Sequence, residues 1–162
     1  MNKKVLSVEW EVYDRKEDLP TSDAQLLDAA FEAVKNAYAP YSGFSVGAAL
    51  LLENGDVVKG NNQENAAYPS GLCAERVAFF WAGANHPGKK IKAVAITALS
   101  EKVNTDHPIT PCGACRQSML EYEMNQGENI TIIMQGSTGK IYRMEGVKNL
   151  LPLYFNEEGL KS

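Results

Sequence analysis

Cysteine is scarce in this chain of 162 residues, and no excess of positive charge is present. The three cysteines are an odd number, and the N-terminal stretch MNKKVLSVEWEVYDRKEDLP has too short and too charged an apolar run for a signal peptide. Together these argue against a disulfide framework and lead to the expectation of a cytoplasmic protein. Sixteen Lys and Arg stand against 20 Asp and Glu, a formal net charge of −4, with no basic tail or stripe. Gripping a phosphate backbone is mostly electrostatic, so a long nucleic acid is a poor candidate partner and a neutral small molecule is left open. No run approaches the ~18 apolar residues of a membrane helix. What is present is ordinary for a globular protein: 44% hydrophobic and 22% charged residues, enough for one domain.

The hydrophobic pattern alternates between helix and strand. Residues 7–13 (SVEWEVY) alternate with Val8, Trp10 and Val12 on one face, which predicts an edge strand or an arm. Ser22 and Gln25 resemble a capping box, and Leu26, Leu27, Ala30, Phe31, Val34 and Tyr38 carry a helical period that Pro40 stops. VGAALLL (46–52) predicts a buried strand, Asn54-Gly55 a hairpin turn, and Asp56 to Lys59 the start of the return strand. Residues 61–72 read as a loop and 73–84 as a helix. KAVAITA (92–98) predicts a second buried strand, 112–125 a helix ended by Gly127, and ITIIMQ (130–135) with KIYRM (140–144) a strand pair. A short last helix closes at Leu-Leu-Pro, 150–152. Such alternation gives a sheet covered by helices and partly parallel, with ligands held where loops enter helices.

The cysteines sit at two of those entries. Cys112 and Cys115, in PCGAC, are spaced i, i+3 at a helix start, so both sulfurs share one face. Cys73 stands at another helix start. The positive end of a helix lowers a thiol pKa, and zinc is ligated by thiolates. Three protein ligands leave a fourth position for a water whose pKa falls to about 7. Glu75, two residues after Cys73, would reach such a water without being a ligand. Other readings of the same residues are a redox dithiol at CxxC, a structural zinc site completed by His86 or His107, and three unrelated buried thiols. The first gives Cys73 no role and the second gives Glu75 none.

CAE at 73–75 with PCGAC at 111–115 closely resembles the cytidine deaminase family in its short-chain, three-cysteine form. YAPYSGFSVGAAL (38–50), NNQENAAY (61–68), CAERVA (73–78) and PCGACR (111–116) follow in the family order, and the likeness spans about residues 24–155. This ligand set with a non-ligand glutamate is known for zinc deaminases as a class. The resemblance implies a three-layer α/β/α fold with a mixed, largely five-stranded sheet. It implies one Zn2+ per chain on Cys73, Cys112 and Cys115, with Glu75 as the catalytic proton carrier. It also implies that Asn62 and Glu64 pair the ribose hydroxyls, that Phe44 packs on the pyrimidine, and that the Ala74 backbone N–H meets the base carbonyl. Phe155 is the counterpart of an aromatic that closes a neighbouring subunit's site in tetrameric members. Three thiolates on zinc carry net −1, and a guanidinium beside them withdraws charge; the resemblance gives that place to Arg76. Arg116 follows its motif in the same way but reads equally as a surface residue.

The expected activity is hydrolytic deamination of cytidine and deoxycytidine to uridine and deoxyuridine plus ammonia, in pyrimidine salvage. The expected partner is a small-molecule nucleoside, without polynucleotide or membrane, in a homotetramer. A blasticidin-type deaminase, a polynucleotide deaminase and a closed, non-catalytic zinc module are the competing readings. Two stretches depart from the family: residues 1–20 form an N-terminal extension to a catalytic domain at 21–162, and the loop 101–110 is long.

Overall fold

The computed structural model describes residues 1–156. Among the described residues nine α-helices and β-strands follow one another: β1 (Glu11–Tyr13), α1 (Thr21–Val34), β2 (Phe44–Leu52), β3 (Val57–Asn61), α2 (Ala74–Asn85), β4 (Ile91–Ser100), α3 (Gly113–Gln126), β5 (Thr131–Met134) and β6 (Ile141–Glu145). The strands form one sheet in the order β1-β6-β5-β4-β2-β3. Only β4 and β5 run parallel, because α3 carries the chain back between them; the other pairs are antiparallel.

Both faces of the central strands are covered, and their residues alternate between two cores. Ala49, Ala93, Ala95 and Ile133 face α1, where Leu26, Leu27 and Ala30 meet them. Ala48, Leu50, Val94, Ile96 and Ile132 face the other side, against Ala78 and Phe79 of α2 and Met119 and Leu120 of α3. A strand buried on both sides reads as a continuous apolar run, which is why VGAALLL and KAVAITA were legible. The result is the three-layer α/β/α arrangement.

Two glycines set how closely the helices approach. A Cβ at Gly47 on β2 would stand 2.2 Å from the Ala30 carbonyl oxygen of α1. One at Gly60 on β3 would stand 2.5 Å from the Ala74 carbonyl oxygen and 2.6 Å from the Ala78 nitrogen of α2. Gly55, with φ +89°, makes the tight turn between β2 and β3.

Several boundaries differ from the sequence-based expectation. The sheet has six strands rather than five, because β1 pairs with β6 (Glu11 opposite Arg143, Tyr13 opposite Ile141). Only three residues of the alternating stretch join it. Trp10 and Val12 remain about half exposed, with Trp10 tilted against Tyr142 at 5.9 Å between ring centroids. Beside the backbone pairing, Arg143 of β6 reaches Asp23 of α1 at 2.8 Å, Glu145 of its own strand at 2.8 Å and Glu11 of β1 at 3.3 Å. Ser22 does not cap α1. Pro20, which has no N–H to lose, sits at the boundary, and Ser22 donates to Asp23 Oδ1 at 3.2 Å. α1 also ends at Val34 rather than at Pro40, because Tyr38 turns away to pair with the 62–64 segment: its N–H donates to Asn62 O and its carbonyl accepts from Glu64 N–H, both at 2.9 Å.

Candidate metal centre and active-site cleft

The first turns of α2 and α3 meet at one end of the sheet. Each helix has a cysteine at its N-cap, Cys73 and Cys112, in extended conformation and with no side-chain cap bond. A sulfur that does not cap is available for other work. Cys115 lies on the first turn of α3 and is fully buried, while Cys112 is exposed and Cys73 intermediate.

The three sulfurs converge within 4.8 Å of one another. Cys73 Sγ stands 3.8 Å from Cys112 Sγ, and Cys112 Sγ 3.5 Å from Cys115 Sγ. Tetrahedral zinc with Zn–S bonds of ≈ 2.3 Å sets its sulfurs about 3.8 Å apart, so this donor set fits one such ion. Among the described residues no histidine joins the cluster. His107 is exposed against Asp106, and His86 packs beside Trp81 at 5.3 Å. The site is therefore a three-thiol one.

Among the thiols, Cys73 is the one turned toward thiolate, while the hydrogen bond to Cys73 and burial push the Cys115 thiol up. A hydrogen bond from Cys115, with further contributions from Arg76 and Cys112, lowers the Cys73 pKa to about 5. Arg76 Nη2 lies 3.8 Å from Cys73 Sγ and 3.4 Å from Gly71 O. Its Nε is buried and has no hydrogen-bond partner among the described residues.

Glu75, on the first turn of α2, is 4% exposed. Burial pushes its carboxyl above the usual carboxylate range, while backbone hydrogen bonding and Cys115 pull the other way. A carboxyl that holds its proton more tightly than usual suits proton transfer near neutral pH. Ala74, fully buried at the first position of α2, presents one of the backbone N–H groups that a helix start leaves without an intrahelical partner.

A cleft of about 500 Å³ opens over Cys73 and Arg76, with Tyr41, Glu64, Asn65 and Tyr68 among its walls. Glu64 holds the neighbouring loop, accepting from Tyr41 N–H at 2.9 Å, from Ser42 N–H at 3.2 Å and from the Ser42 hydroxyl. Asn62 is buried and clamps the start of β2: Oδ1 accepts from Val46 N–H at 2.8 Å, and Nδ2 donates to Phe44 O at 2.9 Å. Phe44 begins β2 and is half-buried outside the cleft lining. Phe155 lies away from the chain's own cleft, 67% exposed, its carbonyl accepting from Gln117 Nε2 at 3.1 Å.

Tyr41 and Tyr68 fall within the family blocks but have no role of their own in the sequence reading. Their rings meet edge to face at 6.0 Å, and both stay exposed. Two aromatics in polar loops with no apolar period to bury them were the available signal.

Three converging thiols with a buried carboxyl beside them, reached from a cleft through Cys73, place the protein in the class of metal-dependent hydrolytic enzymes. A family model described as the cytidine and deoxycytidylate deaminase zinc-binding region matches residues 20–127. A cytidine deaminase of Sporosarcina psychrophila is 39% identical over 84% of this chain and 93% of its own length. One from Halalkalibacterium halodurans is 46% identical over 59% of this chain and 68% of its own. The crystal structure of a cytidine deaminase from Burkholderia pseudomallei superposes with a TM-score of 0.70 at 38% identity, covering 81% of this chain and 97% of that one. The chain belongs to the cytidine and deoxycytidylate deaminase family, whose zinc-binding region contains Cys73, Cys112 and Cys115.

Proposed function

We propose that this chain hydrolytically deaminates cytidine and deoxycytidine, leaving uridine or deoxyuridine and releasing ammonia. The observation that carries the reading is the position of Glu75, buried beside three converging thiols in a family of cytidine deaminases. Cys73, Cys112 and Cys115 are the residues that hold zinc, which when bound supplies a water acidified to about pKa 7. Glu75 takes a proton from the attacking water and delivers it to the ring nitrogen next to the amino-bearing carbon. It then takes the proton of the hydroxyl newly joined to that carbon and gives it to the amine, so that the C–N bond breaks as the ring carbonyl forms and ammonia rather than an amide anion leaves. Burial supports this assignment, because it brings the carboxyl's proton affinity toward the working range.

The remaining residues orient the nucleoside. The Ala74 N–H meets the base carbonyl, Phe44 packs on the pyrimidine, and Asn62 and Glu64 take the ribose hydroxyls. Asn62 uses one lone pair and one N–H on β2, which leaves one of each for a sugar. Glu64 keeps acceptor capacity beyond its loop bonds by the same count. Arg76 offsets the charge of the thiolates. A nucleoside rather than its 5′-phosphate is favoured, because among the described residues of the cleft wall the one cation, Arg76, is already turned to Cys73 and Glu64 adds a negative charge.

Residues 21–162 form the catalytic domain and 1–20 an extension, working as a homotetramer in which Phe155 closes a neighbour's site. The setting is pyrimidine salvage in the cytoplasm; among the described residues no helix is long and apolar enough to cross a membrane. An ultraviolet assay on cytidine, deoxycytidine and cytidine 5′-monophosphate, with zinc quantified on the same protein, tests the reading. Loss of nucleoside absorbance with about one zinc per chain is expected. Zinc without turnover of either nucleoside would overturn it.

A further inference from the structure

Arg116 directly follows the last cysteine, and its side chain turns back across the whole CxxC segment. Its Nε donates to Pro111 O at 2.8 Å, and its backbone N–H donates to Cys112 O at 2.9 Å. Its Nη1 donates to Leu150 O at 2.9 Å. One guanidinium thus joins the residue before Cys112 to a segment far along the chain.

That segment is itself held. Val147–Leu150 forms a 3-10 turn, and Val147 is fully buried. Glu123 lies two helical turns beyond Arg116 on the same face of α3. Its buried carboxylate accepts from Val147 N–H at 2.7 Å and Lys148 N–H at 3.1 Å, and also from Ile130 N–H at 2.9 Å. The turn therefore lies along α3 with its N–H end on a carboxylate and its C=O end on a guanidinium. Both charges match the peptide dipoles they meet.

Cys112 is where such a restraint matters most. Cys115 is fixed by packing, and Cys73 has Arg76 against its sulfur. Cys112 is exposed, so the direction of its side chain depends on its backbone, and its backbone is tied through the Pro111 carbonyl. We infer that Arg116 is a positioning residue for the metal centre, splinting Cys112 to the core through Leu150 and Glu123. This rests on the reading of the three cysteines as zinc ligands.

The test uses the full-length zinc-loaded protein, with Arg116→Met, Arg116→Lys and Gln117→Ala. Zinc release to excess chelator is followed alongside circular dichroism and thermal midpoint, and the thiolate-to-metal charge-transfer spectrum is recorded after cobalt substitution. Arg116→Met should release zinc about tenfold faster, in line with the loss of other outer partners of metal ligands, and should shift the cobalt spectrum. Arg116→Lys, with one hydrogen bond in place of two, should fall between. Gln117→Ala breaks only the bond to Phe155 O and should release zinc at the wild-type rate. Wild-type release and an unshifted spectrum in Arg116→Met, whatever its melting temperature, would overturn the inference. So would equally fast release from Gln117→Ala. If Arg116→Met does not fold, Arg116→Lys decides, and wild-type release there would overturn it. None of these readouts uses a nucleoside. A wild-type protein that binds zinc but leaves cytidine untouched ends the functional reading alone, whereas one that binds no zinc ends both.

Discussion

Gly60 and Ala74 approach so closely that a Cβ on Gly60 would stand 2.5 Å from the Ala74 carbonyl oxygen. The atom it would strike is backbone, in the same helical turn that carries Cys73 and Glu75. Gly60→Ala should therefore push α2 off the sheet and lower stability by about 1–3 kcal/mol, the usual cost of overpacking. It should also lower zinc content, because Cys73 moves relative to Cys112 and Cys115. Chemical denaturation and metal analysis of the same sample check this. Full zinc at wild-type stability would contradict the close contact.

Glu75→Gln keeps the shape of the side chain and removes its ability to take a proton. The variant is expected to retain zinc, since Glu75 is not among the three clustered ligands. Turnover of cytidine should fall by about 100- to 10,000-fold, the range of general acid–base catalysis. Steady-state kinetics with zinc measured per chain separates this from simple metal loss.

Glu123 accepts three backbone N–H groups while buried, so Glu123→Ala leaves all three without a partner. Destabilisation of roughly 3–5 kcal/mol is expected, because hydrogen bonds to a buried charge are strong and their unmade donors are costly. Glu123→Gln retains one acceptor oxygen and should lose less. Urea unfolding curves give both values.

Glu128 bridges Lys90 and Lys92, and the bond from Lys90 first, then that from Lys92, lowers its pKa from 4.5 to about 2. A depressed carboxyl stabilises the fold above its unfolded pKa, and the gain disappears as pH falls through the folded value. The melting temperature of Glu128→Gln should thus trail wild type at pH 7, and the gap should shrink below about pH 4.5 and close near 2. The group is exposed, so added salt should narrow the gap at pH 7. A pH-independent difference would show that the bridge is not its source.

The sequence by itself determined most of the elements and the three-cysteine donor set. VGAALLL and KAVAITA are apolar on both faces, and that pattern belongs to central strands wherever they are placed. Asn54-Gly55 and Gly127 are local conformational signals, and the latter ends α3 at φ +68° as expected. Cys112 and Cys115 lie one helical turn apart, so their shared face follows from helix geometry alone. Only the tertiary structure decided the contacts made to backbone. Asn62 on β2, Arg116 on Pro111 and Leu150, and Glu123 on three amides all bind groups that every residue possesses, and a sequence carries no mark for such partners. The edge strand β1 belongs with them. Its place in the sheet rests on backbone pairing with β6, Glu11 opposite Arg143 and Tyr13 opposite Ile141, strands far apart along the chain that only the folded sheet brings together.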